Sequence, residues 1–357
     1  MPLLMTAGPV ECCPRVLEAC SKKMISHRGP EFRKLFNSIE ERLNKFLRAS
    51  FTAIIAGTGT TAVDAMCWSL VARGEKVAVV IHGEFGERMA ETLRRRGAKV
   101  IELRANPGRW VPLERLREVL DEGVDAVALV HNETSTGLLY AELSEIAEEC
   151  SKRGVKLLVD TVSSAFGEHL DLPNRGTWAI AYASHKALAA PPGACFVSMS
   201  SEAVEELGKM RLDVPLLLDL SRYIEFAKKL ETPYTPPISV LWGVGEALNI
   251  IEETGLRNWI EAHRERASIL YQKLPELGLE PLVKDSKHRS NTVAAFLHPR
   301  ACEIVEELRI RGFIVSRGMG SLKNKALRIG VMGCIGVDDV QRLVEELESI
   351  VKGLETP

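Results

Sequence analysis

From about residue 50 onward, short apolar runs alternate with longer amphipathic stretches. The runs at 76–81 (KVAVVI), 99–103 (KVIEL), 124–131 (VDAVALVH), 155–159 (VKLLV), 178–183 (WAIAYA) and 194–198 (ACFVS) are short and rich in Val and Ile. Gly, Asp or Asn bound them, which predicts buried strands. Residues 87–96 (ERMAETLRRR) and 143–153 (LSEIAEECSKR) carry apolar side chains at three- and four-residue spacing and end beside Gly97 and Gly154. That pattern predicts helices. Strands alternating with helices imply an α/β fold with a largely parallel sheet covered on both faces. Such sheets bind ligands beyond their strand C-termini. The loops to inspect therefore follow residues 55, 81, 131, 159 and 183.

The pattern changes later in the chain. Pro215, Pro233, Pro236 and Pro237 mark 213–240 as an irregular excursion. A long helix is expected over 240–261. Strands near 277–283, 292–297, 312–316 and 326–331, with helices at 301–311 and 337–354, suggest a small α+β lobe. Residues 1–19 are too few to form a domain and are assigned to that lobe. The expected division is a large domain over 20–245 and a small domain from 1–19 and 246–357.

A 357-residue chain with 46% hydrophobic and 26% charged residues has the balance of a folded protein. Lys and Arg total 46 against 48 Asp and Glu, a net charge of −2. No basic excess exists to neutralise a phosphate backbone, so no nucleic-acid partner is expected. No apolar window is long enough to span a bilayer, so no membrane partner is expected either. The start MPLLMTAGPVECCP does not read as a signal peptide. The eight cysteines are scattered with no CxxC pair, which leaves metal binding unsupported. They read as buried small hydrophobes in a reducing cytosol, and the expected location is cytoplasmic.

Four clusters fall on the strand-end loops. Residues 56–62 (AGTGTTA) combine glycines and hydroxyls before a helix, suited to a phosphate but also to an ordinary helix cap. Residues 131–137 (HNETSTG) concentrate hydrogen-bonding groups. Asp160 ends a buried strand, where its charge needs a cationic or donor partner. Lys186, in 184–188 (SHKAL), follows another strand and could be an imine-forming amine. One cofactor needs a phosphate cradle, a carboxylate and an amine together: pyridoxal 5'-phosphate, with its phosphate, its ring nitrogen and its aldehyde.

The ordered segments TAGPVECCPRVLEA, ISHRGPEF, AGTGTTA, HNETSTG, VDTVSSAFG, SHKALAAPPG, TPYTPPIS and LRIGVMG resemble the class V aminotransferases of pyridoxal-phosphate fold type I. The resemblance runs nearly end to end and is nearest to the alanine–glyoxylate and serine–pyruvate group. It implies a large domain with a mostly parallel seven-stranded-type sheet between helices, plus a small α+β domain. By the same resemblance Lys186 carries the cofactor and shuttles a proton, and Asp160 partners the pyridine nitrogen. Phe85 stacks on the ring and Val162 packs on its other face. Thr58, Gly59 and Thr60 hold the phosphate. Ser135, or Thr136, bonds the ring hydroxyl. Thr235 reaches the phosphate of a neighbouring subunit, implying a homodimer with shared sites. Arg328 forks onto the substrate carboxylate, and Gly8 belongs to an N-terminal substrate contact.

The implied reaction moves an amino group from alanine or serine to glyoxylate or pyruvate. Aspartate, phosphoserine or 2-aminoethylphosphonate are alternative donors. His185 stands where the group often has Gln. A His–Lys pair also occurs in cysteine desulfurases, which keeps a lyase with Cys334 as nucleophile in view. Arg28 could meet a second anionic group or form an ion pair.

Overall fold

The computed structural model describes residues 2–170, 176–209 and 213–355. Seven strands form its main sheet: β1 (Phe51–Gly57), β2 (Lys76–Ile81), β3 (Lys99–Arg104), β4 (Ala126–Val130), β5 (Lys156–Asp160), β6 (Thr177–Ala183) and β7 (Gly193–Met199). Their order is β1-β7-β6-β5-β4-β2-β3. All pairings are parallel except the two made by β7, which runs against both β1 and β6. The connection 184–192 that leads into β7 holds only turns. Without a crossover helix a strand returns antiparallel.

Both faces of the sheet are buried, which is why its strands lack alternation. On β2, Val77 and Val79 pack in one core with Ala126 and Leu158. Ala78 and Val80 pack in the other, with Leu129, Leu157 and Ile180. Fully burying each Val or Leu contributes about 1.5–3 kcal/mol. The strands are thereby fixed, and their C-terminal loops inherit that rigidity.

A second sheet is antiparallel: β8 (Glu280–Pro281), β9 (Val293–Leu297), β10 (Ser316–Arg317) and β11 (Ala326–Gly330), in the order β8-β9-β11-β10. Leu3–Leu4 pairs in parallel with Phe313–Ile314. Met5 packs in a core with Leu270, Phe296 and Leu347. The amide of Gly330 donates to the carbonyl of Met5 at 2.8 Å. The N-terminal segment is thus stitched beside β11, the strand that carries Arg328.

Two expectations change here. The single helix over 240–261 is two, Ile238–Thr254 and Leu256–Lys273. Gly255, at φ 82°, lies between them in a backbone region that breaks a helix. Leu248 and Ile251 of the first helix pack in a core of the seven-stranded sheet, whereas Ala267 and Leu270 of the second pack with Phe296, Leu327 and Ile329 of the antiparallel sheet. The proline-marked excursion also contains a helix, Leu220–Ala227, capped by the Asp219 side chain. Among the described residues no helix is long and apolar enough to cross a membrane.

The cysteine reading is corrected. Cys13 and Cys334 form a disulfide with Cα atoms 5.0 Å apart across 321 residues. The bridge between Glu11 and Gly333 brings the two segments together. Sequence spacing could not show that proximity. Cys67, Cys150 and Cys195 are free and buried, as read.

Candidate active site

One cavity opens over the C-terminal ends of β1, β2, β5 and β6. Its lining comes from Thr58, Gly59 and Thr60 after β1, Phe85, Arg88 and Met89 after β2, Asp160 and Val162 at β5, and His185 and Lys186 after β6. The sheet order makes β5 and β6 neighbours, so Asp160 and Lys186 arrive side by side although 26 residues separate them in sequence.

Lys186 is buried, and its Nζ donates to the carbonyl of Ala7. Burial lowers its pKa to about 8, with Asp160 opposing and the Arg328 charge adding to the shift. Gly8 lies against the lysine stem: a Cβ there would sit 2.7 Å from Lys186 Cε. Asp160 is raised to about 7, first by burial, while its hydrogen bond from the Val162 amide at 2.8 Å opposes the shift. A cation beside it would reverse that desolvation effect and hold it ionised.

The helix Gly59–Leu70 starts at the cavity, with Thr58 as N-cap. The cap is satisfied locally by a Thr58–Thr61 capping box, so the helix-cap reading is correct as far as it goes. The next amides still face an open helix N-terminus, which favours an anion. Gly59 is required by close approach, since a Cβ would lie 2.7 Å from Val162 Cγ1. His185 lines the same cavity, and its buried Nδ1 has no hydrogen-bond partner. Burial lowers its pKa to about 4, so the ring is neutral at pH 7.

The HNETSTG loop is mostly internal scaffolding. His131 Nδ1 meets Ser164 Oγ at 3.0 Å, and the Thr134 hydroxyl meets Ser163 Oγ at 2.5 Å. Ser135 is buried but does not line the cavity; its hydroxyl donates to Glu133 and accepts from the Glu84 amide at 3.1 Å. Arg328 also lies outside the lining. Its Nε donates to the carbonyl of Arg317 and its Nη1 to that of Thr134, both at 3.0 Å. Thr235 is exposed and is not among the residues that line the protomer's cavity. Arg28 is occupied, donating to Glu231 at 2.7 Å and to the carbonyl of Thr232.

Sequence reasoning missed Arg88. Its Nη1 donates to Thr60 Oγ1 at 3.2 Å, and its Cζ lies 4.9 Å from the Phe85 ring centre. The signal was present, since Phe85 and Arg88 are one helical turn apart. The carbonyl of Ala7 was also missed, because nothing local ties residue 7 to residue 186.

The cavity fits pyridoxal phosphate on these observations: a glycine-floored helix N-terminus, an orphaned buried nitrogen on His185, and a buried amine beside a buried carboxylate. Residues 4–343 match the family Aminotransferase class-V. An uncharacterized aminotransferase of Methanocaldococcus jannaschii is 32% identical over 99% of this chain and 93% of its own length. The crystal structure of an alanine–glyoxylate aminotransferase from Nostoc sp. superposes with a TM-score of 0.92 at 30% identity, covering 98% of this chain and 95% of that one. An aspartate aminotransferase of subgroup IV from Thermus thermophilus gives 0.91 at 30%, covering 98% and 99%. With nearly the whole chain matched in sequence and in fold, this protein belongs to the class V aminotransferases, a family of pyridoxal-phosphate-dependent transaminases.

Proposed function

We propose that the enzyme moves an amino group from alanine or serine to glyoxylate or pyruvate, with pyridoxal phosphate held in the cavity. The observation that carries the reading is Lys186, a buried amine with its pKa lowered to about 8 in a cavity shared with Asp160 and Phe85. The phosphate would be held by Thr58, Gly59, Thr60 and His185, and the ring would lie between Phe85 and Val162. Ser135 already donates its proton to Glu133. Lying outside the lining, it would take the ring hydroxyl on its remaining lone pair only after moving toward the cavity. When bound, the cofactor supplies an electron sink that makes the α-proton of an attached amino acid removable.

The chain's own residues do the rest. Asp160, paired with a protonated ring nitrogen, keeps that nitrogen charged. The Arg328 guanidinium, held at Nε and Nη1, presents its free edge to the substrate carboxylate. Lys186 Nζ takes the α-proton and carries it across one face. A lowered pKa leaves more of that amine unprotonated near neutrality than an ordinary lysine would have. Held geometry lowers the barrier further.

A small donor is supported by the likeness to the Nostoc enzyme and by Arg28, whose guanidinium is engaged with Glu231 and so is not a ready second anion site. The equally similar Thermus enzyme keeps aspartate as the second reading. Phosphoserine and 2-aminoethylphosphonate would also need a second anion site. A desulfurase would need a free nucleophile, and Cys334 is bonded to Cys13. Thr235, exposed on the protomer, would reach the phosphate of a second copy in a homodimer. The cytoplasmic placement loses the support of its cysteines and rests on the small-metabolite chemistry alone.

A half-reaction screen tests the substrate claim. Each amino acid is mixed with the loaded enzyme, and bleaching of the visible cofactor band is timed. Alanine and serine should bleach it fastest. Faster bleaching by aspartate would overturn the small-donor claim, and an unchanged band in Lys186→Ala would overturn the role of the lysine.

A further inference from the structure

Glu133 has no role in the account above, yet it is completely buried beside the cavity. Its Oε1 accepts from the Ser135 amide at 3.1 Å, the Ser135 hydroxyl at 2.5 Å and the Phe85 amide at 3.4 Å. Its Oε2 accepts from the Gly86 amide at 3.1 Å. The Ser135 hydroxyl in turn accepts from the Glu84 amide at 3.1 Å. The amides of Glu84, Phe85 and Gly86 open the helix Glu84–Arg96, whose N-cap, Gly83, has no side chain to offer. Every helix leaves its first-turn N–H groups without internal partners. Here a carboxylate and a hydroxyl from a separate strand and turn supply them.

The contact is tight. A Cβ on Gly83 would stand 2.3 Å from Ser135 Oγ and 2.8 Å from Glu133 Cδ. Three backbone amides and the Ser135 hydroxyl donate to Glu133, a set of donors suited to a carboxylate. Burial pushes the pKa up, and the donors oppose that shift. Negative charge at a helix N-terminus is also favourable. Phe85, the second residue of this helix, lines the cavity.

We infer that Glu133 is a positioning residue for the cofactor: by gripping the first-turn amides of the helix Glu84–Arg96, it fixes the Phe85 ring against the bound pyridine ring. This rests on reading the cavity as the pyridoxal-phosphate site. The carboxylate touches neither cofactor nor substrate, so its effect reaches the ring through Phe85. Glu133→Gln keeps the shape but turns an N–H toward one of the amides, which loosens the grip.

The test compares cofactor-free wild type with Glu133→Gln. Pyridoxal phosphate is titrated back, its dissociation constant and induced circular dichroism are read, and the melting temperature of the cofactor-free forms is compared. The inference expects similar melting of the two, a dissociation constant raised about tenfold, the scale of one lost charged hydrogen bond, and a clearly weaker induced signal. Equal affinity and an equal signal would overturn it. If the Gln variant does not fold, Gly83→Ala, which crowds the same carboxylate, decides by the same two readouts. Failure of the wild type itself to take up pyridoxal phosphate would overturn the cofactor reading and this inference with it.

Discussion

Lys186 Nζ donates to the main-chain carbonyl of Ala7, 179 residues earlier in the chain. The next residue, Gly8, packs on the same side chain at φ 114°, a conformation that L side chains rarely adopt. The N-terminal segment therefore forms a wall of the lysine's pocket. Gly8→Ala would add a Cβ 2.7 Å from both Cε and Nζ. We expect kcat to fall at least about tenfold, since small misplacements of a reacting group are costly. The backbone penalty adds about 1–2 kcal/mol of destabilisation. Unchanged kcat in a folded Gly8→Ala enzyme would show that the lysine does not depend on this wall.

How much of this was legible in the sequence follows from what is local. Asp160 and Lys186 were readable because each follows a buried apolar run, and such runs end on the ligand side of a parallel sheet. Gly59 and Thr60 were readable because glycine and hydroxyls precede a helix. The break at Gly255 left a signal, a glycine inside a periodic pattern, that was passed over. In the excursion the prolines masked the helix Leu220–Ala227, although Leu220, Tyr223 and Ile224 have helical spacing. Other features are tertiary and leave no local mark. The Cys13–Cys334 pairing, the Ala7 contact and the capping of one helix by Glu133 all join segments that are distant in sequence.

Arg328 is held by two carbonyls through Nε and Nη1. A lysine there would keep a charge but lose the fork and both anchors. Arg328→Lys should lower kcat/KM for the amino donor by about 10–100-fold, the range of one or two hydrogen bonds between charged groups. The loss should fall mainly on KM. A loss confined to kcat, with donor affinity intact, would place the carboxylate elsewhere.

The disulfide ties the N-terminal wall to the turn after β11. Denatured, unreduced protein should show six reactive thiols, and reduced protein all eight. Removing the bond with Cys13→Ser should cost about 2–4 kcal/mol of stability, read as a lower melting temperature. Cys334→Ser should cost a similar amount and leave transamination intact. Sulfur release that disappears in Cys334→Ser would instead favour the desulfurase reading.

Glu168 is buried and accepts from the amide and side chain of Asn291 at 2.8 and 2.7 Å. Burial raises its pKa from 4.5 to about 7. The folded state therefore binds more protons than the unfolded state between those values. By linkage its contribution to stability falls as pH rises through that window, by up to about 3 kcal/mol. Glu168→Gln has no such proton. Urea melts at pH 5 and pH 7 should show the wild type losing stability relative to the variant. Parallel behaviour of the two would mean that Glu168 titrates normally.

Thr235 offers a test of shared sites. In the proposed dimer each cavity combines Lys186 of one copy with Thr235 of the other. Thr235→Glu would set a carboxylate against the bound phosphate and should weaken cofactor binding in a homodimer by several-fold or more, through like-charge repulsion. Lys186→Ala alone should be inactive. A heterodimer of the two variants contains one cavity with the native Lys186 from the Thr235→Glu copy and the native Thr235 from the Lys186→Ala copy. Mixing should therefore restore up to half of the wild-type activity in that dimer. If each cavity used Thr235 from its own chain, mixing would restore nothing beyond the residual activity of the Thr235→Glu protein. The measurement separates the two arrangements without any assumption about the substrate.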